Sequence, residues 1–414
     1  MSDASRTVTV LLPLPLGKGY TYGVPAELDV APGDFVSVPL GQRQVNGVVS
    51  DTEPGDVAPE KLKNISDRLD APPLPKVSRE FVEWVAKYNM ASRGSVLRMV
   101  MSVPAALEPP KPVIAYTLNT NPPEFRATAA RERIIAVLTD GPPRPGPELA
   151  REAGTGTSVV KGLVEANVLI KLELPPPRTF TEPDWQAPGP TLSEEQATAA
   201  AALRKHVADE SFQASVLEGV PGSGKTEVYL EAVAEALRLG KQALVLLPEI
   251  ALSAQWLERF KERFGAAPAM WHSELTGVQR RATWRAVASG EAKVVVGARS
   301  ALFLPYPDLG VIVIDEEHDS SFKQEDGVVY NARDMAVVRA NLGDIPVTLV
   351  SATPSLETVQ NAAQGRYEHF YLPARHGGAA LPDIIPVDMK FEGPERNKWL
   401  SPKLVDALKE TIGN

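Results

Sequence analysis

Gly219-Val-Pro-Gly-Ser-Gly-Lys-Thr226 fits the pattern G-x-x-x-x-G-K-[ST], and its flanks place it where phosphate chemistry needs it. Before it, Ser215-Val-Leu-Glu218 reads as a short strand; after it, 227–239 reads as a helix. Gly219, Gly222 and Gly224 let the backbone curl, so that the N–H groups around Ser223 face phosphate oxygens. Lys225 can reach the terminal phosphates, the Thr226 hydroxyl can ligate Mg²⁺, and the helix N-terminus adds partial positive charge; the alternative is a Gly-rich turn without function. A strand–loop–helix of this kind predicts a parallel α/β sheet.

Apolar, β-branched runs recur downstream at Ala243-Leu-Val-Leu-Leu247, Lys293-Val-Val-Val296, Val311-Ile-Val-Ile314 and Val347-Thr-Leu-Val350, with helix-length segments between them. Continuous apolar strands are buried on both faces, as in an α/β layer. Asp315-Glu-Glu-His318 follows one such run directly. There Asp315 can hold Mg²⁺ and Glu316 is placed to polarise the attacking water; the alternative is a solvated cap on the strand end. Ser351-Ala-Thr-Pro-Ser355 ends another run, where small hydroxyl residues can sense the nucleotide; alone, it reads as a turn with a good helix N-cap.

Working outward, prolines divide the chain. Of 38 in all, clusters at 108–112, 121–123 and 175–190 cannot continue a helix or central strand and read as linkers. The first piece, about 1–108, has β-like runs at 8–12, 35–39 and 45–50, then a helix at 78–88. That helix has Phe81, Val82 and Val85, with Tyr88 next in the series, on one face. The second piece, 124–175, reads as helices at 126–138, 148–152 and 158–166, then a strand at 168–174. This resembles a winged helix-turn-helix; the alternative is a helical packing module without DNA contacts. The third piece, 191–390, is the α/β unit, and 391–414 begins a connection beyond it.

Composition sets bounds. The 414 residues carry a net charge of -9 with 43% hydrophobic residues, ordinary for a globular protein of two or three domains. Residues 1–110 hold 11 Lys/Arg against 13 Asp/Glu, so bulk charge gives no support for DNA binding. There is no cysteine, hence no disulfide and no cysteine zinc site in this chain. No apolar run reaches transmembrane length and no secretory signal is visible, so a cytoplasmic protein with no membrane partner follows most simply.

The motif series Gly219–Thr226, Leu246-Leu-Pro-Glu-Ile-Ala251, Gly297-Ala-Arg-Ser-Ala-Leu-Phe303, Asp315–His318 and Ser351–Pro354 resembles that of superfamily 2 nucleic-acid helicases. His272-Ser-Glu-Leu-Thr276, Asp319-Ser-Ser-Phe-Lys-Gln324 and Tyr330-Asn-Ala-Arg-Asp334 make it similar, more narrowly, to the bacterial PriA family of replication-restart proteins. The resemblance implies a multidomain fold: a β-rich N-terminal DNA-binding domain, a winged-helix domain and one RecA-like P-loop lobe. It implies ATP and Mg²⁺ (through Thr226 and Asp315), with Gln196 of Leu192-Ser-Glu-Glu-Gln196 reading adenine. His318, Ser351 and Thr353 would link nucleotide state to DNA contact. Arg299, together with Phe322, Lys323, Tyr330 and Arg333 of an aromatic-rich loop, would touch DNA. Each of these has a structural alternative: Arg299 as an ion-pair partner, His318 as a core histidine, Phe322 and Tyr330 as packing residues.

Resemblance also covers the N-terminal piece, through Leu12-Pro-Leu-Pro-Leu16, Tyr20-Thr-Tyr22 and Val36-Ser-Val-Pro-Leu-Gly41. A pocket for the nascent 3′ end would use Tyr20, Thr21, Gly41 and Lys63, where Thr21 stands in place of the family's acidic residue. The implied activity is ATP-driven 3′–5′ unwinding at stalled, branched forks in the bacterial cytoplasm, with binding of single-stranded DNA. Partners by resemblance are primosome proteins, single-strand binding protein and the replicative helicase. The alternatives are a fork-binding assembly platform with vestigial ATPase, and a P-loop enzyme acting on small molecules. The family continues into a second lobe with an arginine finger and a zinc-binding cysteine region. The 414 residues alone are therefore expected to bind nucleotide, hydrolyse it slowly and not translocate.

Overall fold

The computed structural model describes residues 6–139, 141–175, 178–248, 254–375, 384–395 and 398–413. The N-terminal unit is built from β1 (Thr7–Leu11), β2 (Tyr20–Gly23), β3 (Phe35–Leu40), β4 (Arg43–Val49) and β5 (Asp67–Arg68). They form an antiparallel sheet in the order β2-β1-β4-β3-β5. Two helices follow, α1 (Lys76–Tyr88) and α2 (Arg93–Val100). Phe81, Val82 and Val85 of α1 are buried as the 3.6-residue period requires, but Tyr88 is 65% exposed and stacks on Trp84 at 4.7 Å. Helix α2 approaches the β1–β2 connection so closely that a Cβ on Gly94 would strike the Leu12 and Leu14 carbonyls.

A small middle unit follows: β6 (Val113–Leu118), α3 (Ala129–Thr139), β7 (Arg144–Pro145), α4 (Gly146–Glu152), α5 (Thr157–Glu165) and β8 (Leu169–Leu174). Its sheet runs β7-β6-β8, and the helices bury Ile134, Leu149, Val160 and Leu163 together. The stretch 109–123, expected to be a linker, thus contains a central strand. Val113 to Leu118 pairs antiparallel with β8 along its whole length. The prolines that suggested a linker flank this strand and do not interrupt it.

The large unit comprises α6 (Glu194–Ala208), β9 (Ala214–Gly219), α7 (Lys225–Arg238), β10 (Gln242–Leu246), α8 (Ala254–Phe264), β11 (Ala269–Trp271), α9 (Gly277–Ala288), β12 (Val294–Gly297) and β13 (Leu309–Asp315). It continues with the short pair β14 (Lys323–Gln324) and β15 (Tyr330–Asn331), then α10 (Ala332–Gly343), β16 (Val347–Ser351), α11 (Leu356–Ala363), β17 (Glu368–Leu372) and α12 (Pro402–Gly413). Seven strands form a parallel sheet in the order β11-β12-β10-β13-β16-β9-β17. The motif residues Glu249, Ile250 and Ala251 lie outside the described residues.

Alternate strand residues enter different cores, which is why the strands read as unbroken apolar runs. Val245, Val313 and Val350 pack against α6, α7 and α8 on one face. Leu244, Ile312, Ile314 and Leu349 pack on the other face against α9 and α10. The second core does not stop at the edge of the unit: it includes Phe35, Phe81, Val85 and Leu97 of the N-terminal unit. Trp284 is fully buried there, donating its indole N–H to the Val100 carbonyl at 2.9 Å and meeting Phe35 edge-on at 5.8 Å. Arg285 donates to the carbonyls of Ala106, Glu108 and Asp70. The N-terminal helices are therefore a packing layer of the α/β unit.

Candidate functional site

Strands β13, β16 and β9 are neighbours, and all three point the same way. Their carboxyl ends consequently deliver the phosphate-loop motif, the acidic run and Ser351 side by side, at the edge where parallel α/β sheets bind ligands. Gly222 and Gly224 adopt φ of 80° and 78°, the left-handed region that favours glycine. Gly224 caps α7 with no side-chain acceptor, so this helix N-terminus keeps N–H groups for a ligand. Lys225 is 9% exposed, and its ammonium rests on the Gly219 and Val220 carbonyls at 2.9 and 3.4 Å. The Ser223 hydroxyl is buried with no partner among the described residues. A loop with a parked ammonium, a vacant hydroxyl and open N–H groups fits a polyphosphate.

Asp315 is buried at the end of β13. Its carboxylate accepts from the Tyr229 hydroxyl at 2.9 Å and from the Glu316 N–H at 3.0 Å, and Tyr229 in turn accepts from the Trp256 indole at 2.7 Å. Burial pushes its carboxyl up to about 6, against the opposing pull of Tyr229 and the Lys225 ammonium. A buried carboxylate within electrostatic reach of the Lys225 ammonium is an oxygen donor of the kind that suits a hard cation such as Mg²⁺.

This burial has a measurable consequence. A carboxyl with a folded pKa above its unfolded value gives stability below about pH 4 that is lost as pH rises through about 6. At pH 7.5 the ionised Asp315 therefore costs the ligand-free fold up to about 3 kcal/mol. Asp315→Asn is expected to be more stable than wild type by about 1–3 kcal/mol at pH 7.5 without Mg²⁺, the advantage fading below about pH 4. Urea denaturation at the two pH values checks this; equal or lower stability of the variant at pH 7.5 would contradict it.

His318 Nδ1 lies 2.8 Å from the Ser351 hydroxyl, which accepts the Thr353 N–H at 2.9 Å. The three residues expected to relay nucleotide state are thus one hydrogen-bonded chain between two strand ends. Gln196 is less available than the sequence suggested. Its carboxamide oxygen accepts the Ser193 N–H at 2.8 Å as part of a capping box, and its amide donates to Ser223 O at 2.8 Å. Beside it, a cavity of about 170 Å³ is lined by Pro190, Leu192, Gln196, Gly222 and Arg259. That is a slot next to the phosphate loop with an apolar wall.

The residues expected to meet DNA divide. Phe322 and Tyr330 are 1% and 3% exposed, and Tyr330 packs edge-on against Phe303 at 5.3 Å, so in this structure they are core and not stacking platforms. Arg333 is buried too, held by Asp334, Glu317 and Ser355. Arg299 is half-buried and donates to the Ser321 and Lys323 carbonyls at 2.9 and 3.0 Å, bracing the loop. Lys323 is open to solvent and pairs with Glu325 at 3.0 Å. The apolar periodicity of this short segment is too weak to reveal that its aromatics point inward.

In the N-terminal unit, Lys63 reaches the Gly41 carbonyl at 3.3 Å, and Gly41 sits at φ 64° beside open space. Thr21 instead closes a different turn: its hydroxyl donates to Gly55 O at 3.2 Å and accepts from Gly55 N at 3.0 Å. Tyr20 stands 39% exposed on the same strand. Residues that the sequence did not single out include Tyr229 and Trp256, which orient Asp315, and Glu317, Ser355 and Thr358, which form a buried polar cluster behind it. Tyr229 and Trp256 occupy ordinary apolar helix positions, so no pattern marks them.

Residues 9–102 match the family model for the PriA 3′DNA-binding domain, and residues 193–362 match that for DEAD/DEAH box helicases. The replication restart protein PriA of Rickettsia conorii is 34% identical over 412 residues, covering 99% of this chain and 52% of that protein. The chain belongs to the PriA family. The PriA of Haemophilus influenzae is likewise 34% identical over 422 residues, with 98% of this chain and 56% of that protein covered. The chain thus spans about half the length of these PriA relatives and corresponds to their N-terminal part. Among solved structures, RecG bound to a three-way DNA junction aligns over 54% of this chain and 28% of that one, at 20% identity and a TM-score of 0.36. Among the described residues no helix is long and apolar enough to cross a membrane.

Proposed function

We propose that this chain carries the nucleotide-binding lobe and the fork-recognition end of a replication-restart helicase. The observation that supports it most is the alignment of three adjacent strand ends, which sets Lys225, Asp315 and the His318–Ser351–Thr353 chain around one space. Lys225 and the amides of 219–226 would hold the phosphates of ATP. Thr226 and Asp315 would hold Mg²⁺, whose role is to neutralise charge on the transferring phosphoryl group. Glu316, with a half-exposed side chain and its carboxylate 3.7 Å from His318 Nδ1, would orient and deprotonate the attacking water. Gln196 would read adenine only by exchanging one of its two protein hydrogen bonds for a base edge.

Tyr20, Gly41 and Lys63 would receive a DNA 3′ end, with Thr21 shaping the turn beside it. The helices and three-stranded sheet of 113–174 fit a winged-helix domain. Half-buried Arg299 and exposed Lys323 would meet a phosphate backbone. In the whole protein this would serve 3′–5′ unwinding at stalled forks and loading of the replicative helicase, with single-strand binding protein and primosome components as partners. The second reading, a fork-binding platform with a vestigial ATPase, draws on the burial of Phe322, Tyr330 and Arg333, which leaves DNA-coupled turnover without its expected contacts.

Titration of the 414 residues with a fluorescent ATP analogue, with and without Mg²⁺ and forked DNA, tests the proposal. Mg²⁺-dependent binding with turnover below about 1 s⁻¹ is expected for this chain alone. Absence of Mg²⁺-dependent binding by the folded protein would overturn it in favour of the platform.

A further inference from the structure

Glu317, the third acidic residue of the run, has no part in the chemistry proposed above, yet its side chain is wholly buried. Its carboxylate accepts from the Ser355 N–H at 2.7 Å, the Ser355 hydroxyl at 3.1 Å and the Thr358 hydroxyl at 3.1 Å, and pairs with Arg333 at 3.3 Å. Its own N–H donates to the Val350 carbonyl at 3.0 Å. A buried carboxylate is tolerated only when every lone pair is used. Here the donors come from two different helix starts: Ser355 caps α11, and Arg333 stands in the first turn of α10.

The residue just before it explains what such an anchor is for. Five non-glycine residues among those described have positive φ: Met90, Asn167, Glu210, Glu316 and Asp344. Four of them follow helices, where a left-handed residue is an ordinary terminator. Of the five, Glu316 alone follows a strand, at φ 52°, at the point where the candidate water-orienting carboxylate must be aimed. A strained conformation persists only when its neighbours over-determine it. On one side the Asp315 carboxylate accepts the Glu316 N–H at 3.0 Å; on the other the Asp319 N–H donates to the Glu316 carbonyl at 2.8 Å. Glu317 is pinned between them by both its backbone and its side chain.

We propose that Glu317 is a positioning residue: by locking onto the starts of α10 and α11, it holds Glu316 left-handed and its carboxylate out of the sheet, toward the phosphate loop. The same lock joins the acidic run to the segment after Ser351 and to the end of the 318–333 loop. A shift of either helix start would therefore reach Glu316. The inference rests on the nucleotide-hydrolysis reading and names a residue that this reading leaves idle.

The test uses the whole 414-residue chain and single-turnover hydrolysis of Mg·ATP, alongside titration of a fluorescent ATP analogue. Glu317→Gln, nearly isosteric, is expected to slow hydrolysis by roughly 10- to 100-fold, since small misplacements of a catalytic group cost that much. Nucleotide affinity should change by less than about threefold, because Glu317 touches no proposed ligand site. Ser355→Ala, which removes a donor from the far side, should reproduce the same split between rate and affinity. The decisive comparison is Glu316→Gln against Glu316→Gln/Glu317→Gln. If Glu317 acts through Glu316, the double variant is no slower than the single one. Additive losses, or rate and affinity falling together, would reduce Glu317 to a structural residue and overturn the proposal. A wild-type chain that binds no Mg·ATP would instead sink the hydrolysis reading on which it rests, so the two failures are distinguishable.

Discussion

Lys225→Ala is expected to lower ATP turnover by roughly 10²–10³-fold, the range seen when one preorganised donor to developing charge is removed. The ammonium is poised and not free: it rests on the Gly219 and Val220 carbonyls, inside the curve of the loop. A phosphate entering that curve offers the same ammonium a charged acceptor, and a charge-assisted hydrogen bond is roughly twice as strong as a neutral one. Truncation removes that exchange. It should not unfold the lobe, since the loop is held by the φ of Gly222 and Gly224 and by strand pairing, neither of which involves the lysine side chain. About 1 kcal/mol of stability is the expected loss. Steady-state turnover, analogue titration and urea denaturation together check this. More than about a tenth of wild-type turnover would remove Lys225 from phosphate contact.

The largest expected effect on stability lies far from the nucleotide. Arg339 of α10 is 2% exposed, and its two terminal guanidinium nitrogens donate to carbonyls and a hydroxyl, not to a carboxylate, while its Nε has no partner among the described residues. It donates to the Leu302 carbonyl, to Leu304 O at 3.0 Å and to Ser78 Oγ at 3.1 Å, and lies over the rings of Phe81 and Tyr306 at 5.4 and 5.2 Å. Burial pulls it down to about 10, still far above neutrality, so the fold holds a full positive charge there. Ser78 and Phe81 belong to α1, so one side chain ties the N-terminal helices to the α/β lobe.

Arg339→Ala leaves buried carbonyls unpaired and opens a large cavity; relief of the charge's desolvation offsets only part of that loss. The expected cost is about 3–5 kcal/mol, with the N-terminal and α/β units losing their common unfolding transition. Denaturation followed separately by tryptophan fluorescence and far-UV dichroism measures both effects. A loss below about 1 kcal/mol with coincident transitions would show that Trp284 and the apolar contacts hold the junction without it.

The α/β lobe was legible because its signals are local. The strands around Val245, Val295, Val313 and Val350 are continuous β-branched runs, and the phosphate loop needs only glycines, a lysine and a threonine in sequence. Edge strands β11 and β17 were not legible, since three or five residues at a sheet margin carry little apolar signal. Tyr20, Gly41 and Lys63 were picked out by resemblance, and of these Lys63 hydrogen-bonds to the Gly41 carbonyl. Phe322, Tyr330 and Arg333 show the limit most clearly. An aromatic and an arginine in a short, polar-flanked loop have the same sequence signature whether they face solvent or a core.

By itself, then, the sequence determined the parallel sheet, the phosphate loop and the acid at the strand end, because backbone geometry and strand periodicity act over a few residues. Tertiary structure alone decided what surrounds each of the three acids. Asp315, Glu316 and Glu317 are consecutive and chemically alike, yet one is buried against Tyr229, one is left-handed and half-exposed, and one is locked to two helix starts. The fate of a carboxylate depends on the donors and the dielectric around it, and those are supplied by residues up to 86 positions away in the chain.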